Sequence, residues 1–187
     1  MTKLATTLLA VVLAGVLPGC SAVPQVPTAK PPVPNSTIAP TAYGGCGATR
    51  VASGGSPPPA WALDGFGEWP GIRWVASAPS SAVAILFAVQ LVATGARPDG
   101  SSNKILWVTQ TATTQLRIVA RPLDASSPTV TLKYPSTAGN QTPSIVDLPS
   151  PGCWSLQLQW GTVHPSEASL DLWVLPAGST PSRSVSG

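Results

Sequence analysis

At 187 residues the chain has room for one domain plus tails. It carries 22 Pro, 17 Gly and seven Trp, but only 9% charged residues, with a formal charge of +3. That composition points to an exported surface protein rather than a cytosolic enzyme. The scattered Lys and Arg form no basic patch, so no nucleic-acid partner is expected.

Met1 to Lys3 makes a short positive start. Leu4 to Leu17 is an apolar run of fourteen residues. A spanning helix needs about 20, so residues 1–19 read as a signal peptide. The run closes on Leu17-Pro18-Gly19-Cys20, with leucine three before the cysteine and glycine directly before it. This stretch resembles the lipobox of bacterial lipoproteins. The resemblance implies that Cys20 becomes the first mature residue and carries a diacylglycerol with acyl chains of the palmitate class. Two chains give stable anchoring. The implied location is the extracytoplasmic face of the cell membrane. The alternative is ordinary secretion, with cleavage after Ala22 and Cys20 left as a spare thiol.

Residues 20–43 hold prolines at 24, 27, 31, 32, 34 and 40 and show no periodic apolar face. Such a segment favours extended polyproline II at about 3.1 Å per residue, so that some twenty residues of it reach roughly 60 Å. It reads as a disordered spacer between membrane and domain. A proline-rich recognition ligand at Pro31 to Pro34 is the alternative.

Residues 44–176 read as the folded domain. Gly44 to Gly47 is the hinge where the chain enters it, with a first strand expected over Ala48 to Ala52. Ser53 to Pro59 is a loop. Trp61, Phe66, Trp69 and Trp74 then fall within fourteen residues among glycines, and a strand is expected over Ile72 to Ser77. Ala82 to Ala93 is the most apolar mature stretch and reads as one central strand buried on both faces, with a helix as the alternative. Thr94 to Asn103 is turn-rich.

Strands follow over Lys104 to Gln110 and Gln115 to Arg121. In the second, Leu116, Ile118 and Ala120 face inward against Arg117 and Arg121. Val130, Leu132 and Tyr134 alternate against Thr131 and Lys133. A short strand is expected around Ile145, within Pro143 to Pro149. Between Cys153 and Trp160 the alternation is strict, with Trp154, Leu156, Leu158 and Trp160 on one face. After a loop over Gly161 to Ala168, Leu170, Leu172 and Val174 mark the last strand. Residues 177–187 read as a disordered tail.

Seven or eight short strands with turns between them predict an all-β fold, an antiparallel sandwich. The 44–176 region, with its Gly-Cys-Trp strand near the end and a cysteine upstream, also resembles the C-terminal sandwich of envelope lipoproteins of no assigned activity. That resemblance implies an immunoglobulin-like topology and no activity. The usual pattern of two cysteines on core strands around a buried tryptophan is not matched, because Cys46 lies in a glycine hinge.

With Cys20 lipidated, Cys46 and Cys153 remain as an even pair. In an oxidising compartment they read as a disulfide, placed on the outer face at the strand entrance. Metal or redox roles lack a second cysteine at close spacing and nearby histidines. His164, the sole histidine, lies in a loop, and no nucleophile elbow exists to use it as a base. Trp61, Asp64, Glu68 and Trp69 form the one cluster of aromatics with acids. It is a candidate ligand site, since tryptophan faces stack on sugars, although packing is the commoner use of such rings. Asp99 and Asp124 suit turns.

No catalytic residue, metal or cofactor is expected. The chain reads as a monomeric, membrane-anchored binding or structural module, engaging an envelope protein or wall glycan. A wall-polysaccharide hydrolase or carbohydrate-binding accessory is the alternative.

Overall fold

β8 (Gly152–Trp160) is the axis of the molecule. Its neighbours are β5 (Gln115–Pro122) and β9 (Ser166–Leu175). Trp154, Leu156 and Leu158 are fully buried and Trp160 nearly so, while Ser155, Gln157 and Gln159 keep contact with water. The period of two thus turns one face of the strand to the core. Antiparallel register places Ile118 and Ala168 on either side of Leu158, and Ala120 and Leu170 on either side of Leu156. One apolar layer results.

The computed structural model describes residues 40, 44–52, 55–66, 68–124, 127–137, 139–161 and 164–180. All belong to one folded unit, Ser36–Gly187. The expected signal peptide, Cys20, most of the expected tether and residues 181–187 lie outside the described residues.

Among the described residues, nine strands form two sheets. The smaller sheet holds β1 (Arg73–Ala76), β2 (Ala82–Leu86), β4 (Lys104–Thr109) and β7 (Gln141–Ile145), in the order β1-β2-β4-β7. The larger has the order β3-β9-β8-β5-β6, with β3 at Leu91–Val92 and β6 at Val130–Pro135. The chain is an all-β sandwich with immunoglobulin-like strand order. β4, β5, β8 and β9 take the places of strands B, C, F and G. β2 and β7 take those of A and E, and β1 is an addition outside them. Within the smaller sheet, Trp107 of β4 is fully buried, and its Nε1–H donates to Ser144 Oγ on the neighbouring strand β7 at 2.8 Å.

Ala82 to Ala93 is two strands, not one. β2 is indeed buried along its whole length. It stops at Leu86 because its partner β4 begins at Lys104, and the Phe87 N–H makes the last bond to that residue's carbonyl at 3.2 Å. The chain then turns and crosses to the other sheet, where β3 pairs in parallel with Val174 and Leu175.

Three further expectations change. Ala48 to Ala52 forms no strand; only Ala52 bridges to Trp74. β9 starts at Ser166, four residues before Leu170, because Ser166 to Ala168 find partners at Trp160 to Leu158. β7 begins earlier than expected and ends at Ile145, which is exposed, while Val146 and Leu148 beyond it are buried. β7 tolerates Pro143 because it is the edge of its sheet.

The outer edge of β9 is sealed by three separate segments. Ala78 exchanges two backbone bonds with Ser169, Gly45 bridges to Leu172, and β3 covers the end. An open strand edge is a template for aggregation, and this one is closed piecewise.

Candidate functional site

The disulfide joins Cys46 to Cys153, with their Cα atoms 5.9 Å apart. Both cysteines are buried. Cys153 lies at the start of β8 on its outer side, paired in register with Trp173. The segment carrying Cys46 lies beyond β9, so the bridge spans that strand. It fixes the point where the chain enters the domain to one end of the sandwich.

The predicted cluster at Trp61, Asp64, Glu68 and Trp69 divides into two parts. Trp61, Phe66 and Trp69 pack with Ile72 and Trp74 over Val83, Ile85 and Val108, on the outside of the smaller sheet. Phe66 meets Trp69 edge-to-face, with centroids 5.5 Å apart. Asp64 and Glu68 are exposed. The aromatic arm thus covers an apolar sheet face that would otherwise meet water. Its position is held in part by Gln141, whose Nε2 donates to the Asp64 carbonyl at 2.5 Å.

A different site lies at the far end of the sandwich, the length of β8 away from Cys153. The seven steps from Cys153 to Trp160 along β8 set that separation at about 23 Å. There the β4–β5 and β6–β7 loops meet. Thr113 N–H donates to the Gly139 carbonyl at 2.8 Å, and Ser136 N–H to the Thr114 carbonyl at 3.0 Å. Trp160 Nε1–H donates to Thr111 Oγ1 at 2.9 Å. These bonds frame a cleft of about 450 Å³ lined by Thr113, Thr114, Ser136, Thr137 and Gly161. Gly161 has a φ of +86°, and a Cβ there would lie 2.8 Å from the His164 carbonyl oxygen, so the turn requires glycine.

A second cleft, of about 310 Å³, shares Thr113, Thr114 and Gly161 and continues onto the outer face of the larger sheet. Its floor is one cross-strand row. Register aligns Arg117 of β5, Gln159 of β8 and Glu167 of β9. Arg117 Nη1 donates to Gln159 Oε1 at 2.5 Å, and Gln159 Nε2 donates to Glu167 Oε1 at 2.9 Å. Gln157 Nε2 reaches Glu167 Oε2 at 3.5 Å. The row runs from cation through amide to carboxylate, and all three side chains are accessible on at least one side. Such an array recognises polar groups by alternating donors and acceptors.

His164 is exposed beside this groove. Among the described residues, no group of three or more His, Cys, Asp or Glu is placed to hold a metal ion. No helix among them is long and apolar enough to cross a membrane. No protein family, curated protein or solved structure matches this chain.

The groove residues were not legible as a site in the sequence. Arg117 stands 42 residues from Gln159 in the chain. Alternation assigns each to an outer face, but only register puts them in one row.

Proposed function

We propose that the protein is a membrane-anchored envelope lipoprotein. In this proposal Cys20 carries the lipid and residues 20–43 are the tether. The sandwich is a non-catalytic binding module on the extracytoplasmic face. One observation carries the binding role: the chain enters beside Leu172 and Cys153, and the polar groove lies at the opposite end. A tethered domain built this way presents its loop end away from the membrane. In immunoglobulin-like domains the corresponding B–C and F–G loops form a binding end.

The groove chemistry fits a hydrophilic ligand, either a wall glycan or a polar segment of an envelope protein. The exposed placement of Asp64 and Glu68, outside the packed aromatic cluster, favours binding over a wall-polysaccharide hydrolase. Glycosidases hold two carboxyls across a cleft, one of them in a protected setting.

The test is a binding screen on wall-glycan and envelope-protein arrays, run with the mature chain and with Arg117→Ala. The proposal expects one retained ligand and a loss of about tenfold in the variant, the effect of one charge-assisted contact. Release of sugar from wall polysaccharide by the purified chain would overturn the non-catalytic reading.

A further inference from the structure

Phe87, Leu123 and Ile145 are the large apolar side chains left exposed among the described residues, at 43%, 41% and 52%. All three sit at the end where the chain enters. Leu123 follows β5, and its N–H donates to the Cys153 carbonyl at 2.8 Å. Phe87 and Ile145 flank Lys104. Lys104 pairs with Ile145 across β4 and β7, and it accepts the Phe87 backbone bond. Their neighbours Leu86, Ile105 and Ser144 are buried. Alternation therefore turns Phe87, Lys104 and Ile145 outward together. Lys104 Nζ lies 5.1 Å from the centre of the Phe87 ring.

The turn that presents Phe87 is clamped from two sides. Arg73 Nη1 donates to the Val89 carbonyl at 2.8 Å. Arg97 Nη2 donates to the Gln90 carbonyl and to Asn103 Oδ1. Beside the ring opens a cleft of about 530 Å³, lined by Arg97, Ser101, Ser102, Lys104 and Thr180. The Asp99 carboxylate on its wall is already engaged by the Ser101 N–H and Oγ–H, at 3.0 and 2.7 Å. With Arg97 held in the clamp beside Asp99, Lys104 is the exposed cation, bordered by an aromatic ring and an aliphatic side chain. That combination suits the headgroup layer, where aromatic rings settle at the interface and Lys or Arg meets lipid phosphate.

The geometry points to the Phe87–Lys104–Ile145 patch as a docking surface for an anionic lipid bilayer. The occupant follows from where the chain enters. Cys20 stands 24 residues before Gly44, and an extended tether of that length reaches roughly 75 Å. This end can therefore settle on the headgroups while the loop end stays outward. The inference rests on the anchored reading given above.

The test uses the mature chain from residue 20 with Cys20→Ser, so that no acyl group contributes. It measures co-sedimentation with vesicles of phosphatidylglycerol and phosphatidylethanolamine. Partition is expected, and it weakens in high salt. Phe87→Ala with Ile145→Ser lowers it about tenfold, and Lys104→Glu about fivefold or more. Thr137→Ala, at the far end, leaves it unchanged. Near-ultraviolet circular dichroism confirms that each variant is folded.

Absence of partition, or partition indifferent to these substitutions, overturns the proposal. So does a lipid-free dimer abolished by Phe87→Ala, which would assign the patch to a second copy of the chain. Because the vesicle assay omits the acyl group, its failure leaves the anchoring claim standing. Retention of a Cys20→Ala chain at the cell membrane would defeat anchoring without touching the vesicle result.

Discussion

Cys46 reaches across β9 to Cys153, closing a loop of 107 residues between the start of the domain and its central strand. The bond ties to β8 a segment that also meets β9 at the Gly45–Leu172 bridge and through the bond from the Asp171 N–H to Thr49 Oγ1. Replacing both cysteines by serine should cost about 4–5 kcal/mol on the chain-entropy account. Urea unfolding of the oxidised chain and of the double variant measures this. Equal midpoints would mean that the bridge adds nothing to the fold.

Asn103 replaces a stretch of strand with a side chain. It is fully buried, its Oδ1 accepts from the Val92 N–H at 3.0 Å, and its Nδ2 donates to the Val92 carbonyl at 2.7 Å. Nδ2 also donates to Asp147 Oδ1 at 3.0 Å. Asn103→Ala should cost about 2–4 kcal/mol, because two buried backbone groups lose their partner. Amide exchange at Val92 should quicken first. Unchanged protection there would refute the role.

Trp107 and Ser144 join the strands β4 and β7 inside the core. Ser144→Ala leaves the Trp107 Nε1–H buried without an acceptor, at a cost of about 1–3 kcal/mol. A calorimetric melting temperature equal to that of the parent chain would contradict this.

Tyr134 gives the fold an alkaline limit. Burial, and then the nearby Asp147 carboxylate, push its pKa up to about 12 from the usual 10. Its hydroxyl donates to the Ile145 carbonyl at 2.5 Å. The folded state thus holds the proton more tightly than the unfolded chain does. The resulting stability is complete below pH 10 and is lost as pH rises towards 12. Tyr134→Phe should flatten the stability profile over that window. An unaltered slope would show that other groups govern it.

Much of the larger sheet was legible because each of its main strands buries one face only. β8 and β5 bury the predicted rows, with Cys153 and Val119 covered as well on the outer side, and β6 alternates between half-buried and exposed residues. The switch from β2 to β3 left no such mark. Phe87 to Gln90 contains neither Gly nor Pro, and the turn is set by Arg73 and Arg97 from other parts of the chain. The aromatics of residues 61–74 stood out, but the apolar sheet face beneath them did not. Val83, Ile85 and Val108 belong to strands that read simply as buried. The groove stayed hidden because Arg117, Gln159 and Glu167 are ordinary surface residues until register aligns them.

In the proposed arrangement, a lipid on Cys20 holds this sandwich at the membrane. Cys20→Ala, expressed in a lipoprotein-processing bacterium and followed by acyl labelling and flotation of the membrane fraction, tests it most directly. The parent chain should incorporate labelled fatty acid and float with membranes, and the variant should take up no label. A parent chain that takes up no label, or that is secreted into the medium with a free Cys20 thiol, would contradict the account.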